Sequence, residues 1–321
     1  MDQSSFPKAS LGLSVVVPCH NEAGAMPLLL PRLSAACRIA AGEDFEIVLV
    51  DDGSSDPTWV MIEKAAAADS HIVGVNLARR YGQQIALSAG LSYCRGERIL
   101  IIDADLQDPP ELLPEMMRMM DQGADVVYGQ RRTRPGEGRF KLISAALFYR
   151  LMRAIGDHSM PTDAGDFRLM NRRVWEVLQR MPERQRYLRG MVAWVGLRQV
   201  PLLYDRAARI KGRSNYPFAR MLHFAMDGLT SFSVVPLRLS LWLSLACGAL
   251  SLLLLLYVGL SWLFLGTIKG WTSLACIMLF FFGLQFFAIG MIGEYVGRIY
   301  LESKQRPLFV VDRVASSNKS S

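Results

Sequence analysis

The chain has 321 residues, of which 51% are hydrophobic and 20% are charged, and its 36 Lys and Arg against 29 Asp and Glu give a net charge of +7. This composition is too apolar for a disordered protein, and the length is too great for a small disulfide-stabilised domain. A purely soluble enzyme is also disfavoured, because the apolar residues are concentrated in long runs near the C-terminus.

Short apolar segments alternate with helical patterns through the first half of the chain, which is typical of an α/β protein with a mostly parallel sheet. Strands rich in Val, Ile or Leu are predicted at 13–18, 46–51, 72–77, 99–103 and 125–128. Helices are predicted between them at 26–41, 58–68 and 84–94. Ligands of open α/β sheets bind at the carboxyl ends of the strands, so acidic residues there are the first candidates for chemistry.

Missing motifs narrow the function classes. No G-x-G-x-x-G follows a strand and no G-x-x-x-x-G-K-[ST] occurs, which disfavours a dinucleotide-dependent dehydrogenase and a P-loop ATPase. The five cysteines, at positions 19, 37, 94, 247 and 276, form no C-x-x-C pair, so we expect a reduced compartment and no zinc site. No nucleic-acid partner is predicted.

Acidic residues follow two of the predicted strands. Asp51 and Asp52 close the second strand, and Asp103 and Asp105 close the fourth. Carboxylates two residues apart at a strand end suit Mg²⁺ or Mn²⁺, which bind to one or two carboxylates together with substrate phosphates. Gln107 could add a carbonyl oxygen. The alternative, that such residues cap the next helix or shape a turn, stays open from the sequence alone.

Three segments, in this order along the chain, resemble the motifs of a known enzyme family: VVVPCHNEAG, VLVDDGSSDPT and IIDADLQDPPE. The likeness continues through DAGDFRLMNRRV, RIKGRSNYP, DGLTSFSVVPLRL and GEYVGRIYLESKQRP, and so covers nearly the whole chain. The sequence resembles GT-A-fold glycosyltransferases of the dolichyl-phosphate mannose synthase type, especially the bacterial polyprenyl-phosphate glycosyltransferases with two C-terminal membrane helices. The resemblance implies a GT-A fold, a nucleotide-sugar donor and a polyprenyl phosphate acceptor.

The resemblance also implies roles for individual residues. The donor-binding set is Pro18, His20, Glu22, Asp51, Asp52 and Asp103. The metal set, for Mg²⁺ or Mn²⁺ and the diphosphate, is Asp103, Asp105 and Gln107. The catalytic set is Asp105 and Asp166, with Asp166 or its neighbour Asp163 as base and Asp166 alternatively as orienter of the acceptor. A helix N-cap ahead of FRLMNRRV is the alternative for Asp166.

The acceptor phosphate is already anionic near neutral pH, so it needs cations to position it more than it needs a strong general base. The candidate cations are Arg131, Arg139, Lys141 and Arg209, and the hydroxyl of Ser144 could donate a hydrogen bond to the same phosphate. Each could instead be a solvated surface residue. The chain departs from the family pattern at Cys19-His20, where an aromatic residue is usual, at Gln83 in place of His, and at Asn215 in place of Lys.

The C-terminal third predicts membrane attachment. Between Leu239 and Gly293 the only charged residue is Lys269, which leaves two apolar runs, 239–268 and 270–293, each long enough to span a bilayer. Basic residues flank the pair, so both termini are expected in the cytoplasm, and no signal peptide is predicted. Basic amphipathic segments at 139–155 and 216–238 are expected at the lipid surface, with core-facing helices as the alternative.

The predicted domains are therefore a GT-A domain (1–215), an interfacial helix (216–238), two transmembrane helices (239–293) and a cytoplasmic tail (294–321). The predicted reaction is inverting transfer of one sugar from a nucleotide-sugar, by preference UDP-glucose, to undecaprenyl phosphate. A processive polysaccharide synthase is disfavoured because residues 185–189 read QRYLR rather than Q-x-x-R-W, and a non-catalytic nucleotide-sensing scaffold is the other alternative. Gly293 and Gly297 have the spacing of close helix contacts, either within the predicted hairpin or between protomers, and a homo-oligomer is expected.

Overall fold

The computed structural model describes residues 10–131, 164–184, 186–205 and 270–317, together with isolated helical residues between 246 and 260. These residues belong to two compact units. The first contains a β-sheet and its helices, including the chain from Arg306 onward, and the second contains the long C-terminal helix.

The described part of the first unit contains eight strands, which form one sheet. The strands are β1 (Leu11–Cys19), β2 (Phe45–Asp51), β3 (Ile72–Leu77), β4 (Gly96–Ile101), β5 (Val126–Arg131), β6 (Ala164–Asn171), β7 (Gln199–Tyr204) and β8 (Val311–Ala315). The helices of this unit are α1 (Met26–Ala41), α2 (Thr58–Ala68), α3 (Gln83–Tyr93), α4 (Leu113–Asp121), α5 (Arg172–Arg180) and α6 (Leu188–Val195). A short 3₁₀ helix, Pro110–Leu112, precedes α4.

The strand order is β7-β5-β6-β4-β1-β2-β3-β8. The four central strands β4, β1, β2 and β3 are parallel, as are β5 and β7, whereas β6 and β8 run antiparallel to their neighbours. The prediction of an α/β fold with a mostly parallel sheet is therefore confirmed. The strands and helices predicted between residues 13 and 128 are all present, with ends that differ by a few residues.

The central strands are buried on both faces, which explains their nearly continuous apolar sequences. Val15 and Val17 of β1 pack in the same apolar cluster as Leu33 of α1. Val16, between them, points to the other face and lies against Gly90 of α3. A Cβ atom at Gly90 would lie 2.4 Å from Val16 Cγ1 and 2.9 Å from Val50 Cγ2. The missing side chain is therefore what lets α3 approach the sheet this closely.

Replacing Gly90 by Ala is expected to lower the free energy of unfolding by about 1 to 3 kcal/mol, because the added methyl group would overpack the interface between α3 and the sheet. Thermal unfolding of the purified protein measures the effect. Gly24→Ala is the control, since a Cβ atom at Gly24 would have no heavy atom within 4 Å. A melting temperature for Gly90→Ala that equals that of Gly24→Ala would contradict the packing argument.

The C-terminal residues contribute an edge strand that the sequence analysis did not predict. Strand β8 pairs antiparallel with β3, with Val314 opposite Val75 and Arg313 opposite Asn76. The predicted tail, 294–321, therefore contributes a strand to the sheet of the first unit. By pairing with β3 it satisfies the backbone groups of a strand that would otherwise be an open edge.

The second unit contains α7 (Trp271–Ser303), which runs ten residues beyond the predicted end of the second apolar run. An ion pair one helical turn apart, Glu294 with Arg298, lies on this extension. Within the described residues, one segment is long and apolar enough to cross a membrane, Phe280–Ser303. The first predicted membrane run and both amphipathic segments lie outside the described residues or are described only at isolated positions, so the two-helix hairpin stays a prediction.

Candidate active site

The start of α3 organises the carboxyl edge of the sheet. Gly82, just before the helix, has a φ of 99°, a conformation that favours glycine. The carboxylate of Asp52 accepts hydrogen bonds from the backbone N–H of Tyr81 (2.6 Å) and of Gly82 (2.8 Å). Because both of its oxygens are engaged by this backbone, the buried Asp52 fixes where α3 begins.

Asp51 lies at the end of β2, buried beside the loop that follows β1. Ser54 donates a hydrogen bond from its hydroxyl to one oxygen of Asp51, and its own Oγ accepts from the backbone N–H of Asn21 at 3.0 Å. Burial raises the pKa of the Asp51 carboxyl, and the hydrogen bonds from Ser54 oppose that shift. His20 Nδ1 donates to the backbone carbonyl of Asp52 at 2.9 Å. These contacts hold the predicted donor residues His20, Asp51 and Asp52 in one group.

Two further predicted donor residues, Pro18 and Glu22, lie in β1 and in the loop that follows it. Pro18 is in β1, opposite Val50 of β2. The backbone N–H of Glu22 donates to Thr58 Oγ1 at 2.9 Å, which ties the loop after β1 to the first residue of α2. The structure therefore places five of the six predicted donor residues, all except Asp103, at the carboxyl ends of β1 and β2.

Asp103 lies two residues after β4 and is in contact with α3. Gln83 Nε2 donates to Asp103 Oδ1 at 2.8 Å. Burial raises the pKa of Asp103 to about 7, and the nearby negative charges of Asp166, Asp108 and Asp105 add to the shift. The strand was predicted to reach Asp103, but it ends at Ile101, so the DAD segment is a loop rather than a strand end.

Hydrogen bonds to Asp105 and Asp108 hold the rest of this loop. Asp105 Oδ1 accepts from the backbone N–H of Gln107 at 3.1 Å, and Leu106 between them has a φ of 60°. The side chain of Gln107 is buried, as is that of Asp108, whose carboxylate accepts a hydrogen bond from the Tyr204 hydroxyl. The Asp108–Tyr204 pair was not predicted, and it holds the loop against β7.

The described residues contain no group of three or more His, Cys, Asp or Glu side chains arranged to hold a metal ion by themselves. The available donors are all oxygens, from Asp103, Asp105 and Gln107. This donor set fits Mg²⁺ or Mn²⁺ held by two carboxylates and completed by substrate phosphates and water, and it does not fit a closed structural metal site.

Asp166 lies inside β6 and is buried, so the interpretation of this residue as a helix N-cap is wrong. Asn171 caps α5 instead, accepting from the Val174 N–H at 3.0 Å. Asp166 forms a two-pronged ion pair with Arg189, Nε to Oδ1 at 2.7 Å and Nη2 to Oδ2 at 3.0 Å. Burial alone would raise the pKa of Asp166, but the contacts with Arg189, the charge of Arg168 and a hydrogen bond from Gln84 hold it below its usual value.

Two glutamines connect these acids. Gln83 Nε2, already bonded to Asp103, also lies 3.4 Å from Asp166 Oδ2. Gln84 Nε2 donates to the same oxygen at 3.4 Å, while its Oε1 accepts from the backbone N–H of Leu188 at 2.9 Å. The first residues of α3 therefore link Asp103, Asp166 and the start of α6.

The predicted acceptor residues are only partly described. Arg131 is the last residue of β5, where its backbone pairs with that of Tyr204. Arg139, Lys141, Ser144 and Arg209 lie outside the described residues, as does Asp163. Sequence reasoning missed Gln84, Asp108 and Arg189, and noted Gln83 only as a departure from the family pattern. A lone arginine or glutamine gives no pattern from which such a role can be read.

Comparison with known proteins gives consistent results. Residues 14–178 match glycosyl transferase family 2. The chain is 40% identical to the uncharacterized glycosyltransferase YkcC of Bacillus subtilis strain 168, over 94% of this chain and 93% of that protein. It is 36% identical to the bactoprenol glucosyl transferase of Shigella phage SfV, over 93% and 97% of the two chains. Glucosyl-3-phosphoglycerate synthase of Mycobacterium tuberculosis, solved with Mn²⁺, UDP-glucose and phosphoglyceric acid, is 21% identical with a TM-score of 0.47 over 68% and 77%.

A mostly parallel α/β sheet with acidic residues grouped at its carboxyl edge is the arrangement of a GT-A-like glycosyltransferase. The chain belongs to glycosyl transferase family 2 and is a glycosyltransferase.

Proposed function

We propose that this enzyme transfers a single sugar, with inversion, from a nucleotide diphosphate sugar to polyprenyl phosphate at the cytoplasmic face of a membrane. UDP-glucose is the preferred donor in this proposal and undecaprenyl phosphate the acceptor. The observation that carries the proposal is the single Gln83 amide that contacts both Asp103 and Asp166. It places the acid of the proposed donor site next to the acid of the proposed acceptor site, as a direct transfer between two substrates requires.

The relatives' names support the acceptor. The match to the phage bactoprenol glucosyl transferase extends over nearly the full length of both chains, so it includes the C-terminal part as well as the catalytic sheet. Bactoprenol is a polyprenyl alcohol, and its phosphate is a lipid. An apolar helix such as Phe280–Ser303 would keep the enzyme at the membrane in which that lipid resides. The cytoplasmic position of both termini belongs to the same proposal.

The donor would lie across the carboxyl ends of β1, β2 and β4. Its base and ribose would contact the group that includes His20, Asp51 and Asp52, and Asp103, Asp105 and Gln107 would hold a divalent cation, Mg²⁺ or Mn²⁺. When bound, that cation stabilises the negative charge of the departing nucleoside diphosphate. The excess of carboxylates around Asp103, which raises its pKa, is the electrostatic setting that a cation relieves.

The reaction requires little acid or base chemistry. A phosphate oxygen of the acceptor forms a bond to the anomeric carbon while the bond from that carbon to the nucleoside diphosphate breaks, so no proton has to move. The low pKa of Asp166 makes it a weak proton acceptor at neutral pH. Its ion pair with Arg189 supports the orienting role over the role of base.

A direct test is to incubate the purified full-length protein with undecaprenyl phosphate, MnCl₂ and each of a panel of nucleotide sugars, and to weigh the lipid products by mass spectrometry. We expect one added hexose with a single donor and no further elongation. A ladder of longer products would identify a processive synthase instead. No lipid product with any donor would refute the proposed acceptor.

A further inference from the structure

The guanidinium group of Arg189 binds Asp166 along one edge only. Its Nε and Nη2 atoms contact the two oxygens of Asp166. Among the described residues, no hydrogen-bond acceptor contacts Nη1. The Arg189 side chain is 40% exposed, whereas that of Asp166 is 3% exposed. The acid is therefore buried, whereas the arginine that pairs with it is partly exposed.

A second arginine lies close to this pair. Arg168 is buried close to the same acid, and its Nη2 donates to the Gly165 carbonyl at 2.9 Å. The charges of Asp166 and Arg189 both act on Arg168. The carboxylate of Asp166 is thus shared by two guanidinium groups, and the carboxyl group of Asp103 also acts on Arg189. Arg189 therefore keeps its positive charge, which could attract a further anion on its exposed side.

The position of Arg189 relative to the donor site is also defined. Gln83 joins the carboxylate of Asp166 to that of Asp103 through one amide nitrogen. Gln84 joins Asp166 to the backbone of Leu188, the residue before Arg189. Arg189 is therefore linked to Asp103, the acid of the proposed metal site, through Asp166 and Gln83.

We infer that Arg189, held in place by Asp166, binds a phosphate oxygen in the active site, and that this phosphate is the head group of the lipid acceptor. An arginine fixed on one edge by a carboxylate presents its other N–H groups in a defined direction, which suits a phosphate that must be aligned for attack. The inference rests on the proposed function. It adds a phosphate-binding residue to the acceptor candidates found in the sequence and gives Asp166 the role of positioning it.

The test uses Arg189→Lys, which keeps the positive charge and can still pair with Asp166 but cannot contact two oxygens and a phosphate in the same plane. Binding of a short-chain isoprenyl phosphate, farnesyl phosphate, is measured by titration calorimetry, and binding of UDP with MnCl₂ is measured separately. Steady-state KM values for undecaprenyl phosphate and for the nucleotide sugar are then determined. Arg173→Lys, an exposed arginine of α5, is the matched control and should behave as wild type.

We expect Arg189→Lys to weaken farnesyl phosphate binding and raise the KM for the lipid about 10-fold or more, with UDP binding within about 2-fold of wild type. Weakened UDP binding with an unchanged lipid KM would overturn the inference, because the phosphate would then be that of the donor. A loss of kcat alone, with both affinities unchanged, would overturn it as well. Wild-type protein that binds farnesyl phosphate but transfers no sugar to a lipid would refute the proposed function, whereas normal transfer by Arg189→Lys would refute only the inference.

Discussion

Replacing Asp103 by Asn is expected to reduce sugar transfer by about 100- to 1,000-fold and, in the same protein, to stabilise the metal-free fold at pH 8. Activity falls because the site loses one of the two carboxylates that would hold the divalent cation and the donor diphosphate. Stability rises because the ionised Asp103 is buried among Asp166, Asp108 and Asp105. Asn keeps an oxygen that can accept the hydrogen bond from Gln83.

The pH dependence of this stabilisation follows from the direction of the shift. The pKa of Asp103 is about 7 in the folded protein and about 4 in an unfolded chain. Between these values the folded protein holds a proton that the unfolded chain has lost, so the contribution of Asp103 to stability falls as the pH rises. The gain from Asp103→Asn should therefore be near zero at pH 4 and reach about 1 to 3 kcal/mol above pH 7.

Thermal unfolding in the presence of EDTA at several pH values measures this effect, and the transfer assay with saturating donor measures the activity. Glu115→Gln, which removes an exposed acid on α4, is the control and should change neither quantity. A stabilisation that is the same at pH 5 and pH 8 would contradict the assigned electrostatic cause. Full activity of Asp103→Asn would exclude Asp103 from the proposed metal and donor site.

The sequence predicts the central strands well because burial on both faces leaves a continuous apolar signal. The outer strands carry weaker signals. Strand β6 contains the charged residues Asp166 and Arg168, so its sequence does not show the apolar pattern of a buried strand. Their burial depends on partners that are distant in the chain. Strand β7 contains Pro201, which a strand tolerates at the edge of a sheet. Strand β8 is short and contains Asp312 and Arg313, so its pairing with β3 could not be expected from composition.

In the candidate site, likewise, some residues could be predicted from the sequence and others could not. Acids at strand ends are visible in a sequence because several occur together in the positions where parallel strands place ligands. The contacts that organise those acids are not visible. Arg189 is 23 residues from Asp166, and Gln84 is 82 residues from it, so only the folded chain brings them together. The predicted acids thus required unpredicted neutral and basic partners to become a site.

Replacing Asp166 by Asn is the second change with a large expected effect: about a 100-fold or greater loss of transfer, and about 1 to 3 kcal/mol lower stability. The Asn side chain is neutral and has only one oxygen, so it cannot accept both hydrogen bonds from Arg189. Arg189 therefore loses its fixed orientation. The buried Arg168, whose pKa burial lowers to about 10, also loses the nearby anion that offsets that shift. Asp166→Glu retains the charge but moves it, and should keep more stability than activity.

Glu111→Gln provides a matched control, because Glu111 forms the same two-pronged contact with Arg32, at 2.8 and 3.0 Å, on an exposed surface. Exposed pairs contribute little, so this variant should retain activity and lose no more than about 0.5 kcal/mol of unfolding free energy.

Because the folded pKa of Asp166 lies below its unfolded value, its contribution to stability is present above about pH 4 and is lost as the pH falls through the folded pKa. The stability difference between wild type and Asp166→Asn should therefore stay constant from pH 5 to pH 9. A difference that shrinks as the pH falls from 8 to 6, together with an acid limb in the wild-type rate that Asp166→Glu shifts, would show that Asp166 titrates near neutrality and acts as a base.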